Sequence, residues 1–93
     1  MDIVWADSAK AQLQDIHTYI AETSEAYADA MIRRMLERIE QIEMFPLSGR
    51  SVPEYGHEQI REIIVRPYRV IYHLRPDCIE IIAVVHGRQD ISG

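Results

Sequence analysis

The sequence predicts an α+β domain of order β-α-α-β-β-β, an antiparallel sheet meander packed against an α-helical hairpin. Three observations predict it. Apolar residues in the first half recur at helical spacing, whereas those in the second half alternate or run in short β-branched stretches. Between the two halves lies "FPLSGRSVPEYG" (Phe45–Gly56), too dense in proline and glycine to be anything but a loop.

The elements follow in order. "DIVW" (Asp2–Trp5) is an apolar run long enough for one strand, with Trp5 most simply a core residue. Asp7 or Ser8 is a plausible cap for the next helix, because a short side-chain oxygen can accept from a free N–H of the first turn. Ala9, Leu13, Ile16 and Ile20 share one helical face, which predicts a helix over about 8–22. His17 sits among those positions as a core-edge residue. Thr23 or Ser24 can cap a second helix, whose apolar stripe is Ala28, Met31, Ile32, Met35, Ile39 and Ile42. After the loop come three strands. The first is Ile60–Val65. The second is Tyr68–Arg75, with Tyr68, Val70, Tyr72 and Leu74 on one face and Arg69, Ile71, His73 and Arg75 on the other. "RPDC" makes a turn into the third, Cys78–His86, whose face Ile79, Ile81, Ala83 and Val85 is expected to pack on the helices.

A chain of 93 residues is one domain, 1–93, with a feasible but thin core. No apolar run approaches the roughly 20 residues of a membrane span. The N-terminus lacks the basic and apolar regions of a signal peptide, and the single cysteine, Cys78, fits a reducing compartment. A cytoplasmic location without membrane contact is expected. Only Asp90 to Gly93 read as a disordered end. No His/Cys cluster has metal-ligand spacing, so neither a metal nor another cofactor is expected.

Charge is unevenly placed. The net charge is −5, and residues 1–43 carry nine acids against four Lys/Arg. Residues 44–93 balance six arginines against six acids. That overall acidity argues against direct DNA binding by this chain alone. Yet "REIIVRPYRVIYHLRPDCIEIIAVVHGR" threads Arg61, Arg66, Arg69, His73, His86 and Arg88 through strand sequence. A buried charge is costly unless paired. Either these are ion pairs and solvated edges, or one face of the sheet is a working surface.

The motifs "P..GR.VPE", "YRVIY" and the closing "V.HGR", in this order and spacing, resemble the ParE/RelE toxin superfamily of bacterial type II toxin–antitoxin pairs, and nearer ParE than RelE. The helical first half fits as well, so the resemblance spans nearly the whole chain. It implies the RelE/ParE-like fold, a cognate antitoxin whose disordered segment wraps the toxin, and one of two targets. ParE-like members poison DNA gyrase. RelE-like members look like ribosome-dependent nucleases that cut mRNA. A toxin-fold protein that only binds its antitoxin is a further alternative.

RNA cleavage needs a base, an acid and a cation for the transition state. By family position Arg69 and Arg88 could supply the cation, and His86 could handle a proton. Two departures stand against this. The second basic position of RelE-like members is Ile63 here, and the chain stops at Gly93, about where those enzymes carry a catalytic tyrosine in a further segment. The ParE-like reading is therefore the expectation, with no catalytic residues. Arg50, Arg61, Arg69, His86 and Arg88 are the partner-binding candidates. Ordinary structural roles compete for the same residues. Arg69 could pair with Glu80 across the hairpin, His86 could be a satisfied strand-end residue, and Arg50 could simply dock the loop, where Gly49 permits a turn. Arg66 precedes Pro67 at a bulge or edge. On this reading Arg69 ties strands to acids, while Arg61 and Arg88 line an exposed sheet face or rim.

Overall fold

The computed structural model describes residues 1–88; the expected disordered end, Asp90 to Gly93, lies outside the described residues. The elements are β1 (Asp2–Trp5), α1 (Asp7–Ala21), α2 (Glu25–Met44), β2 (Arg50–Ser51), β3 (Ile60–Val65), β4 (Tyr68–Leu74) and β5 (Cys78–His86). They form one sheet of order β1-β5-β4-β3-β2, with the helix pair on one face. The meander β3-β4-β5 is antiparallel as the short turns require. Two features go beyond the expectation. β1 pairs in parallel with β5, making the sheet mixed, and the long loop contributes the two-residue edge strand β2.

Helix starts follow local chemistry only in part. Ser24 caps α2, its hydroxyl accepting from the Tyr27 N–H at 3.1 Å. Neither Asp7 nor Ser8 caps α1: the N-cap position is Ala6, without a side-chain bond, and Asp7 already lies in the first turn, where its charge suits the helix dipole. Ala28, Met31, Met35, Ile39 and Ile42 are buried as the stripe predicts. They pack on Ile63, Val65, Val70, Tyr72, Ile79 and Ile81. His17 is a core-edge residue, bonded through Nε2 to Asp29 on α2 at 2.7 Å, and Trp5 packs half-buried against the core.

Strand β5 departs from simple alternation. Ile81 pairs with Tyr72, but Ala83 pairs with Ile71, so Ile82 is an extra residue and the register shifts there. Such a β-bulge puts two residues opposite one and turns the later residues over. Ile79, Ile81 and Val84 therefore face the helices. Ala83 and Val85, expected on that side, instead join a second, smaller core with Val52 and Ile71 on the opposite face. Beyond the end of β1, Gln12 of α1 accepts the Val84 N–H at 2.8 Å.

The loop is bolted down by a buried tyrosine. The Tyr72 hydroxyl donates to the Pro46 carbonyl and accepts the Gly49 N–H, both at 2.9 Å. Gly49 does not serve a left-handed turn: among the described residues only Gly56 has a positive φ. Its hydrogen is required by close approach: a Cβ there would collide with the Tyr72 hydroxyl and lie 2.7 Å from the Glu62 carbonyl oxygen.

Candidate functional site

Strand alternation places Arg50 of β2, Glu62 of β3 and Arg69 of β4 on the sheet face away from the helices. Arg69 is only 6% exposed and Glu62 only 1%. Charges this deep must be paired, and they are. Arg69 donates through Nε to Glu62 Oε1 at 2.7 Å. Its Nη1 and Nη2 each donate to one oxygen of Glu54 at 2.9 Å, a bidentate fork. Arg50 Nε closes the chain on Glu62 Oε2 at 2.7 Å. The result is a line Glu54–Arg69–Glu62–Arg50 that ties the loop to two strands. The Arg69 guanidinium is pushed above its ordinary range, first by its bonds to Glu54 and then by Glu62, against the opposing effect of burial.

This line floors a groove of about 1050 Å³, whose rim is Arg66, Pro67, His86, Gly87 and Arg88. The rim is assembled where the β3–β4 turn meets the end of β5. The Gly87 N–H donates to the Pro67 carbonyl at 2.7 Å. A Cβ at Gly87 would approach that oxygen to 3.0 Å, so a small residue is needed for this junction. The Arg88 N–H donates to His86 Nδ1 at 3.2 Å, so in the neutral ring the other nitrogen carries the hydrogen. The His86 ring meets Tyr68 edge-on, with centroids 5.9 Å apart.

Four of the five candidates, Arg50, Arg69, His86 and Arg88, thus share one groove. Arg61 does not. It pairs across from Tyr72 on the helix side of β3, and its Nη1 donates to the Gly49 carbonyl at 2.9 Å. There it serves the loop and lines no exposed sheet face. Arg69 does not meet Glu80 either. It lies opposite Val85, while Glu80 lies opposite His73 and pairs with Arg75 at 2.7 Å. Arg66 joins the rim without having been expected as a site residue, at a turn reached through a cis Arg66–Pro67 bond. Glu54 and Glu62 were also missed. Glu62 could have been suspected from its place inside an apolar strand, and Glu54 from closing the loop motif "P..GR.VPE".

Among the described residues no group of three His, Cys, Asp or Glu could hold a metal ion. A second groove, of about 730 Å³, lies between α2 and β1 and shares no residue with the first. Its apolar floor is Ile3, Trp5, Ile32, Leu36 and Ile39. Asp29, Glu37, Glu40 and Glu43 rim it against a single arginine, Arg33. The two grooves therefore differ in sign as well as position.

A two-helix hairpin over a mixed sheet, with two surface grooves of opposite charge, defines a small protein of α+β class. Solved structures share the fold. A chain from the chromosomal ParDE toxin–antitoxin system of P. aeruginosa aligns at a TM-score of 0.75 and 17% identity, covering 92% of this chain and 95% of that one. A YoeB/ParE toxin from Agrobacterium tumefaciens aligns at 0.65 and 15%, covering 92% and 98%. No curated protein matches the chain. The family model for the ParE toxin of the type II toxin–antitoxin system parDE matches residues 3–91, and the chain belongs to that family. It is a toxin of a type II pair, and such a toxin implies an antitoxin partner. No described helix is long and apolar enough to cross a membrane.

Proposed function

We propose that this toxin inhibits DNA gyrase in the cytoplasm and is neutralised by an antitoxin segment lying in the groove between α2 and β1. The observation that carries the gyrase half is the state of Arg69. Two carboxylates fill its fork and its Nε, so its charge is already spent within the protein. A ribonuclease would need that charge for a dianionic transition state. Ile63, at the position where RelE-like members carry a second basic residue, is 5% exposed and packs in the helix-side core.

The antitoxin half rests on chemistry of the other groove. An apolar floor with four acids on its rim suits an amphipathic segment bearing lysine or arginine. A disordered segment that folds there can cover a large surface at modest affinity per area.

Purified gyrase and translating ribosomes test the reading side by side. The protein is expected to block supercoiling or trap cleaved DNA, and to leave mRNA on ribosomes uncut. New mRNA ends at the ribosomal A site, lost on Arg69→Ala in a variant that still folds, would replace gyrase by the ribosome as target. For the antitoxin, co-expression with the product of the neighbouring reading frame is expected to raise the Tm and relieve growth arrest. Equal melting with and without it would remove that groove from consideration.

A further inference from the structure

The inner half of the groove on the open face already binds carboxylates. Arg69 reads Glu54 with a bidentate fork, and Arg50 reads Glu62. Both acids come from the chain itself. The outer half has the same donors without such acids. Arg66 and Arg88 are exposed and form no ion pair among the described residues. His86, also exposed, holds its Nδ1 on the Arg88 N–H and presents the other ring nitrogen. The lining has four arginines against two glutamates, on a chain whose net charge is −5. A local reversal of sign against the molecular charge is a steering feature.

We propose that this outer half docks an acidic peptide segment of the protein that the toxin attacks, with Arg66 and Arg88 gripping its carboxylates and His86 adding a hydrogen bond. The proposal rests on the reading that the toxin acts by binding a protein target. Charge complementarity selects the occupant. The two arginines match two side-chain carboxylates, whereas nucleic-acid binding draws on a run of phosphate contacts and a basic surface around them, which this acidic chain lacks. Beside the groove, Tyr19 is 72% exposed and lines a hollow with Tyr68 and His86. An aromatic shelf next to a charged rim is the composition of protein interfaces.

The test uses fluorescence anisotropy of the purified toxin at about 50 mM salt, where surface charge is weakly screened. The probes are labelled octaglutamate, octalysine and a thymidine octanucleotide. Octaglutamate is expected to bind, and Arg66→Glu/Arg88→Glu to weaken it about tenfold or more. Lys10→Glu/Arg34→Glu changes the net charge equally at exposed positions of α1 and α2 and is expected to weaken it less than about threefold. Absence of octaglutamate binding, equal weakening by both variants, or tighter binding of the octanucleotide would each overturn the proposal. Gyrase inhibition is read separately. If Arg66→Glu/Arg88→Glu inhibits gyrase as well as the parent protein, the docking proposal falls and the gyrase reading stands. If the parent leaves gyrase untouched while the peptide results hold, the groove stands and gyrase is the wrong target.

Discussion

Replacing Arg69 by alanine should cost about 3–5 kcal/mol of folding stability. The side chains involved are 7% exposed for Arg69, 0% for Glu62 and 19% for Glu54. Removing the arginine leaves a fully buried carboxylate with only Arg50, whose own side chain is 67% exposed and shared with water. It also leaves Glu54 facing Glu62 with no cation between them. Against the roughly 5–15 kcal/mol that holds an ordinary domain together, the loss is severe. Urea unfolding followed by circular dichroism measures it, provided the slope with denaturant is unchanged. A cycle with Arg69→Met, Glu62→Gln and their combination isolates the pair. The double variant should be more stable than the sum of the singles by about 1–3 kcal/mol. Arg75, paired with Glu80 in the open at 2.7 Å, is the contrast, and Arg75→Ala should not move the midpoint measurably. An Arg69→Ala cost within about 1 kcal/mol, or strict additivity in the cycle, would show that the line of charges behaves as a surface network.

Other outcomes follow from the same geometry. Gly49→Ala should destabilise by about 1–3 kcal/mol, since the new methyl meets the backbone of Glu62, which cannot swing aside; thermal melting checks it. Tyr72→Phe should cost about 1–2 kcal/mol by leaving the buried Gly49 N–H without its acceptor. Burial pushes the Tyr68 and Tyr72 phenols up, so the folded state keeps protons that the unfolded chain sheds. Their contribution is therefore present below pH about 10 and lost as the pH rises beyond it, and Tyr72→Phe should flatten that alkaline decline. Ile81→Ala should cost about 2–5 kcal/mol, and Ile82→Ala, at the half-buried bulge, clearly less in the same urea series.

What could be read in advance depended on whether the physics was local. The α2 stripe and its Ser24 cap follow from 3.6-residue spacing and from a hydroxyl placed before it, and both are present. The expected two faces of β4 hold, Tyr68, Val70, Tyr72 and Leu74 toward the helices and Arg69 and Ile71 away from them, because that strand alternates without interruption. The extra residue in β5 escaped notice because Ile82 sits in a run, "IEIIAVV", where every neighbour is apolar and no phase change is marked. Partner assignment was harder still. Arg69 and Glu54 are fifteen residues apart, and the path of the intervening loop is set by Tyr72 and Gly49. A fold-level reading therefore located the arginines in the right half of the molecule, but misassigned Arg61 to the open face and Arg69 to Glu80.

The bulge at Ile82 also sets which face each residue at the end of β5 presents. Residues before it and residues after it sit in different frames with respect to the sheet. Deleting Ile82 would remove the bulge and leave Ile81 opposite Tyr72 and Ala83 opposite Ile71, so every residue beyond it would keep its face. Straightening the strand at its present length would instead carry Ala83 and Val85 to the face of Ile79 and Ile81, turn Val84 away from the helices and shift His86, Gly87 and Arg88 one position along β4. The extra residue is thus the phase switch that lets one strand serve both cores, and the rim of the groove stands where it does because β5 carries it.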